Sequence, residues 1–177
     1  MRTMTTAARA GALAAAAVRI AVGVLWLGEA RTKFASGFGA ADIGLVVQST
    51  AGNSRVPSWY AELLAHTIGA TPALAGIAVP CTEALLGVLL CAGFLSRWTG
   101  AASLLVLASY WLSDQLIVQY PVMLGLGAVV LLFPAAAGRL SVTALVRWWR
   151  GRGSRGSGGV EPPQRAPGSV HPRFTRP

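Results

Sequence analysis

Residues 73–95 read ALAGIAVPCTEALLGVLLCAGFL, a run of 23 residues in which Glu83 is the sole charge. As a helix it rises about 34 Å, enough to cross the ~30 Å hydrocarbon core of a bilayer. An acidic residue at a helix centre costs roughly 3 kcal/mol on insertion scales, so the apolar neighbours outvote it and the stretch is expected to span. The carboxylate then needs a partner or a proton. That requirement makes Glu83 the first candidate for a catalytic role.

Working outward, 54% of the chain is hydrophobic and 12% charged, with a mean hydropathy of +0.56. Average soluble domains carry roughly 25% charge, so one membrane domain is expected. The reading is an all-α, four-helix transmembrane bundle over residues 14–139, with spans at 14–34, 73–95, 98–116 and 118–137. Residues 1–13 form a cytoplasmic N-terminus and 35–70 an extracytoplasmic loop. The last two spans are joined tightly, with Asp114, Gln115, Gln119 and Pro121 crowded at the connection; a re-entrant hairpin is the alternative there. Arg2 and Arg9 before an apolar run resemble a secretory signal, but hydrophobicity resumes after Arg19 and the helix is read as uncleaved.

Arginine sets the orientation. Arg2 and Arg9 precede the first span, Arg97 lies between the second and third, and eight arginines fall from Arg139 onwards. Four spans put all three regions on one side, expected to be cytoplasmic at the plasma membrane, with Arg31, Lys33 and Arg55 as an external minority. Trp98, Trp148 and Trp149 would sit at the inner interface. Residues 140–150, LSVTALVRWWR, read as an amphipathic juxtamembrane helix. Residues 151–177 hold six Gly, five Pro and five Arg and are expected to be a disordered basic tail. The net charge of +9 therefore points to anionic lipid rather than nucleic acid.

Cys81 and Cys91 lie ten residues apart on one predicted helix, about 15 Å, too far to pair. They and the scattered His66 and His171 give no metal spacing, and no haem, flavin or nucleotide motif is present. Projection at 100° per residue is more informative. Arg19, Trp26, Ala30 and Lys33 share a face of the first helix with Glu29 on its flank, Arg19 within reach of the inner interface by snorkelling. Glu29 and Lys33 have the i, i+4 order of an ion pair. Gly76, Pro80, Glu83 and Gly87 share a face of the second helix, where small residues allow close packing and Pro80 frees a carbonyl. Ser103, Tyr110 and Asp114 share a face of the third. Glu29, Lys33, Glu83, Tyr110 and Asp114 are thus expected to converge in the outer half, either as a polar pocket or as glue between helices.

The stretches RIAVGVLWLGEARTKF (19–34) and EALLGVLLCAGFLSRWTG (83–100), with Tyr120-Pro121 and AAAGRLSV (135–142), resemble the DoxX family and its DoxD-like branch. The resemblance covers about residues 19–142 and rests on Arg19, Lys33, Glu83, Gly87, Gly93, Arg97, Gly138 and Arg139. Val142 and Thr143 stand where such sequences often place an Asp. What it implies is a membrane protein of thiosulfate:quinone oxidoreductase small-subunit type. Such a protein would be an accessory or anchoring subunit of a quinone-linked thiol or sulfur redox system, using a quinone and a protein partner that carries the redox cofactor, possible homo-oligomers included. A small-solute transporter or binding protein and a non-catalytic scaffold are the alternatives.

Overall fold

The computed structural model describes residues 5–115, 117–138 and 141–146, and these are all-α. In chain order the helices are α1 (Thr6–Ser36), α2 (Ala40–Ala51), α3 (Ser58–His66), α4 (Pro72–Ala92), α5 (Ser96–Leu112), α6 (Gln119–Leu132) and α7 (Pro134–Ala137). A further short helical segment occupies 142–146. Arg139, Trp148, Trp149, the tail 151–177 and much of the juxtamembrane helix 140–150 lie outside the described residues.

Helix α1 has 31 residues and begins eight residues before the expected Ala14. The run from Ala7 to Ala17 is rich in the best helix former, and the Thr5 hydroxyl caps it by accepting the Ala8 N–H at 3.4 Å. The helix stops at Gly37, where φ is +70° and the N–H groups of Gly37 and Phe38 close on the carbonyls of Phe34 and Lys33. Gly93 ends α4 in the same way, with φ +70° and bonds from Gly93 and Phe94 to Leu90 and Leu89. Both are left-handed caps that glycine adopts without steric cost.

Two expectations are corrected, and the stretch 35–70 carries structure of its own. It folds into α2 and α3, because the Asp42 carboxylate caps α2 by accepting the Gly39 N–H at 2.9 Å and an apolar side closes on itself through Val56, Tyr60 and Leu64. The stretch 118–137 is not one helix. Pro134 has no N–H and disfavours helical geometry in the residue before it, and Phe133 sits at φ −118°, ψ 49° between α6 and α7. Helix α5 ends at Leu112 instead of 116, with Asp114 in a left-handed turn at φ 58°.

Helix α1 packs along α4 and also touches α6 and α7, while α5 lies on α6 and α4. The α1–α4 seam is backbone against backbone. A Cβ on Gly23 would stand 2.9 Å from the Gly87 carbonyl oxygen, and one on Gly87 2.9 Å from that of Gly23. The beginning of α2 rests on α4 equally closely, since a Cβ on Gly76 would meet the Gly39 backbone at 2.6 Å. Val22, Trp26, Leu86, Leu90, Leu107, Met123 and Val130 fill the core. Leu74, Ile77, Leu85 and Val88 form an exposed apolar stripe on α4. Helices α1 and α4 are long and apolar enough to cross a membrane.

Candidate functional site

Helix α4 carries Glu83 into the interior, where it is fully buried. Its Oε1 accepts from Lys33 Nζ at 2.7 Å and from Tyr110 Oη at 2.6 Å. Its Oε2 is buried and has no hydrogen-bond partner among the described residues. Lys33 Nζ donates a second bond to Glu29 Oε2 at 3.2 Å, the i, i+4 pair on α1. The Gln119 amide donates to Glu29 Oε1, and Tyr120 Oη reaches Glu29 Oε2 at 3.4 Å. One polar cluster is thereby assembled from α1, α4, α5 and α6.

Rings wall this cluster. Tyr110 lies 5.2 Å from Tyr120 and 6.3 Å from Trp26 between centroids, and Lys33 Nζ stands 5.6 Å from the Tyr110 centroid and 5.9 Å from that of Phe38. The ammonium gains from both ring faces. Trp26 Nε1 donates to Ser103 Oγ at 2.7 Å, which satisfies two buried polar groups one step deeper. With Glu29, Lys33 and Glu83 ionised, the cluster holds two carboxylates against one ammonium, an excess negative charge in a low-dielectric setting. Chemically, Glu83 Oε2 is placed to take a proton or accept a hydrogen bond, while Lys33 and Tyr110 are donors beside it.

Beneath α2 and α3 lies a cavity of about 160 Å³ whose walls include Lys33, Phe38, Ser109, Tyr110, Ser113 and Tyr120. The roof is tied to α5. Tyr60 Oη bonds the Ser109 hydroxyl at 2.7 Å and donates to its carbonyl at 3.1 Å, and Asn53 Nδ2 donates to Asp114 Oδ2 at 2.7 Å. Arg55 pairs with the same carboxylate. The Asn53 amide, and then the Arg55 guanidinium, hold the Asp114 carboxyl below its usual range. Asp114 therefore takes partners on the α2–α3 connection, whereas Glu29, Lys33, Glu83 and Tyr110 meet one another.

Arg19 is also separate from the cluster. It is buried, donating from Nε to the Ala137 carbonyl at 3.1 Å and from Nη1 to the carbonyls of Cys91, at 3.0 Å, and Leu90. Because α1 begins at Thr6, Arg19 is about 20 Å into the helix and meets the carbonyl ends of α4 and α7, where the partial negative charge of a helix C-terminus attracts a cation. A Cβ on Gly93 would stand 2.5 Å from Arg19 Nη1, so glycine also makes room for this contact. Gly76 and Gly87 are the close-approach points described above, and Pro80 is buried within α4, which is one helix from Pro72 to Ala92.

Gly23, Asn53, Gln119 and Tyr120 were missed as site residues. Gln119 and Tyr120 had a signal, polar side chains at the foot of an apolar helix; Gly23 and Asn53 acquire meaning only from their partners. Cys81 and Cys91 are both unpaired, and among the described residues no group of three His, Cys, Asp or Glu side chains is placed to hold a metal. No family model, curated protein or solved structure matches the chain.

Proposed function

We propose that the chain is a four-span membrane subunit of a quinone-linked thiol or sulfur redox system, in which Glu83 exchanges a proton with the quinone. Helices α1, α4, α5 and α6 with α7 are the spans, both termini are cytoplasmic at the plasma membrane, and α2–α3 caps the outer side. The exposed stripe on α4 supports immersion in lipid, since soluble monomers rarely leave so much apolar surface uncovered. Trp98 and Trp111, both exposed and near opposite ends of α5, suit the two interfaces. The basic tail adds attraction to anionic head groups.

One observation carries the assignment: a fully buried carboxylate whose Oε1 is held by Lys33 and Tyr110 and whose Oε2 has no partner among the described residues. A group used only to glue helices would be expected to satisfy both oxygens. Reduction of a quinone to quinol takes two electrons and two protons. A partner oxidises the thiol or thiosulfate and delivers the two electrons; Glu83, once it has taken a proton from the aqueous phase, passes it through Tyr110, which lines the cavity, to one ring oxygen, and a second proton from the aqueous phase completes the quinol. The DoxD-like resemblance of Arg19, Lys33, Glu83 and Gly87 favours the same system.

The test uses membranes from cells lacking the protein, complemented with wild type or Glu83→Gln. Thiosulfate- or thiol-driven quinone reduction should return with wild type and fail with the variant at equal protein abundance. Equal rates with both would remove Glu83 from the mechanism. Unchanged rates in the deletion, together with solute uptake by proteoliposomes of the pure protein, would replace the redox reading by the transport one, which the small cavity beneath α2–α3 favours.

A further inference from the structure

The cavity beneath α2–α3 has a neighbour. On the other side of α5 a groove of about 420 Å³ runs between α5 and α6, lined by Leu107, Trp111, Leu112, Tyr120, Pro121 and Leu124. Tyr120 lines both spaces. The two differ in chemistry. The first offers Lys33, Tyr110, Ser109 and Ser113; the second is apolar apart from the tyrosine.

We propose that the two spaces form one site for an uncharged amphiphile, its ring under α2–α3 against Lys33 and Tyr110, its hydrocarbon tail in the α5–α6 groove, and Tyr120 the wall on which it turns. This rests on the quinone reading above and adds how the molecule is seated. Size requires the division: about 160 Å³ is half of what ligand pockets usually provide, ~300 Å³ or more, so a ring fits and a tail must leave. Charge excludes ionic heads. A cation would face Lys33, the one charged wall residue, and an anion would compete with Glu29 and Glu83 for an ammonium they already neutralise, whereas a neutral carbonyl can accept from that ammonium without disturbing either ion pair. Tyr120 is suited to the turn because it is nearly buried, its ring is tilted by 31° to Tyr110, and its hydroxyl is engaged with Glu29. The side chain shared by both spaces is what commits the groove to the tail of the same ligand.

The experiment compares two probes, a benzoquinone ring without a tail and the same ring with a ten-carbon chain. Binding to the purified full chain in one detergent is read from quenching of tryptophan fluorescence. Leu124, exposed on α6, is changed to Trp to fill the groove, and Tyr120→Ala removes the wall. The chain-bearing probe should bind wild type about tenfold or more tightly than the bare ring, the change that burial of as few as two methylenes brings. Leu124→Trp should erase that advantage and leave the bare ring unaffected; partition into detergent is common to both proteins and cancels. Tyr120→Ala should weaken both probes. If both probes bind and Leu124→Trp leaves their ratio unchanged, the seating is wrong while the quinone reading stands. If neither probe binds wild type, both fall together.

Discussion

Removing Lys33 should cost far more when Glu83 is present than when it is absent. Lys33 is the cation between two carboxylates, 2.7 Å from Glu83 and 3.2 Å from Glu29, and the Glu83 side chain is fully buried while that of Lys33 is 16% exposed. Taking one partner from a buried pair costs about 3–5 kcal/mol, because the remaining charge is left uncompensated. The slight exposure of Lys33 puts Lys33→Met near 3 kcal/mol, towards the lower end of that range. Glu83→Gln is different. The amide oxygen still accepts from Lys33 and Tyr110, the excess negative charge disappears, and Lys33 keeps Glu29, so the loss should stay within about 1 kcal/mol. The double variant should then be about 2 kcal/mol more stable than the two single losses summed, a coupling of the size seen for groups in contact. Unfolding of the wild type and three variants in mixed micelles, followed by tryptophan fluorescence, measures this cycle. Additivity to within about 0.5 kcal/mol would refute the charge argument.

Gly87→Ala should destabilise by about 1–3 kcal/mol, since the added methyl meets the Gly23 carbonyl and Leu27 and helix propensity returns less than it removes. Gly28→Ala, with open space around it, should be neutral or stabilising in the same unfolding assay; equal damage from both changes would contradict the α1–α4 seam. Asp114, held below its usual range by Asn53 and Arg55, should tie down the α2–α3 roof at and above the ordinary aspartate value of about 3.9 and release it as pH falls through its lower folded value. Hydrogen exchange of α3 amides should quicken over that acid window in wild type but show no such step in Asp114→Ala. For orientation, a cysteine at Ser54 should react with an impermeant thiol reagent in intact cells and one at Ser157 should not, and the reverse pattern would invert the topology.

Several features of the site were legible before any tertiary contact was known. Glu29 and Lys33 are four residues apart, and helical geometry alone brings them together. The grouping of Gly76, Pro80, Glu83 and Gly87 on one face follows from the same period. By contrast, the assignment of Asp114 to the cluster went astray because face projection ends where the helix ends. The helix stops at Leu112, the chain turns left-handed, and the side chain swings to Asn53 and Arg55.

The chain alone was enough for helical class and for the apolar character of α1 and α4, because these depend on local periodicity and composition, which every window of it displays. It also marked Glu83 as a charge in need of a partner. Its partners come from the packing of distant segments: Lys33 from 50 residues away and Tyr110 from 27, with Gln119 and Tyr120 completing the shell around Glu29. The same holds for Arg19, whose place at the carbonyl ends of α4 and α7 depends on how far α1 extends and on the close approach that Gly93 permits. Contacts between distant segments are set by the register at which helices pack, and that register follows from the backbone approach at Gly23 and Gly87, a property of two surfaces together rather than of either alone.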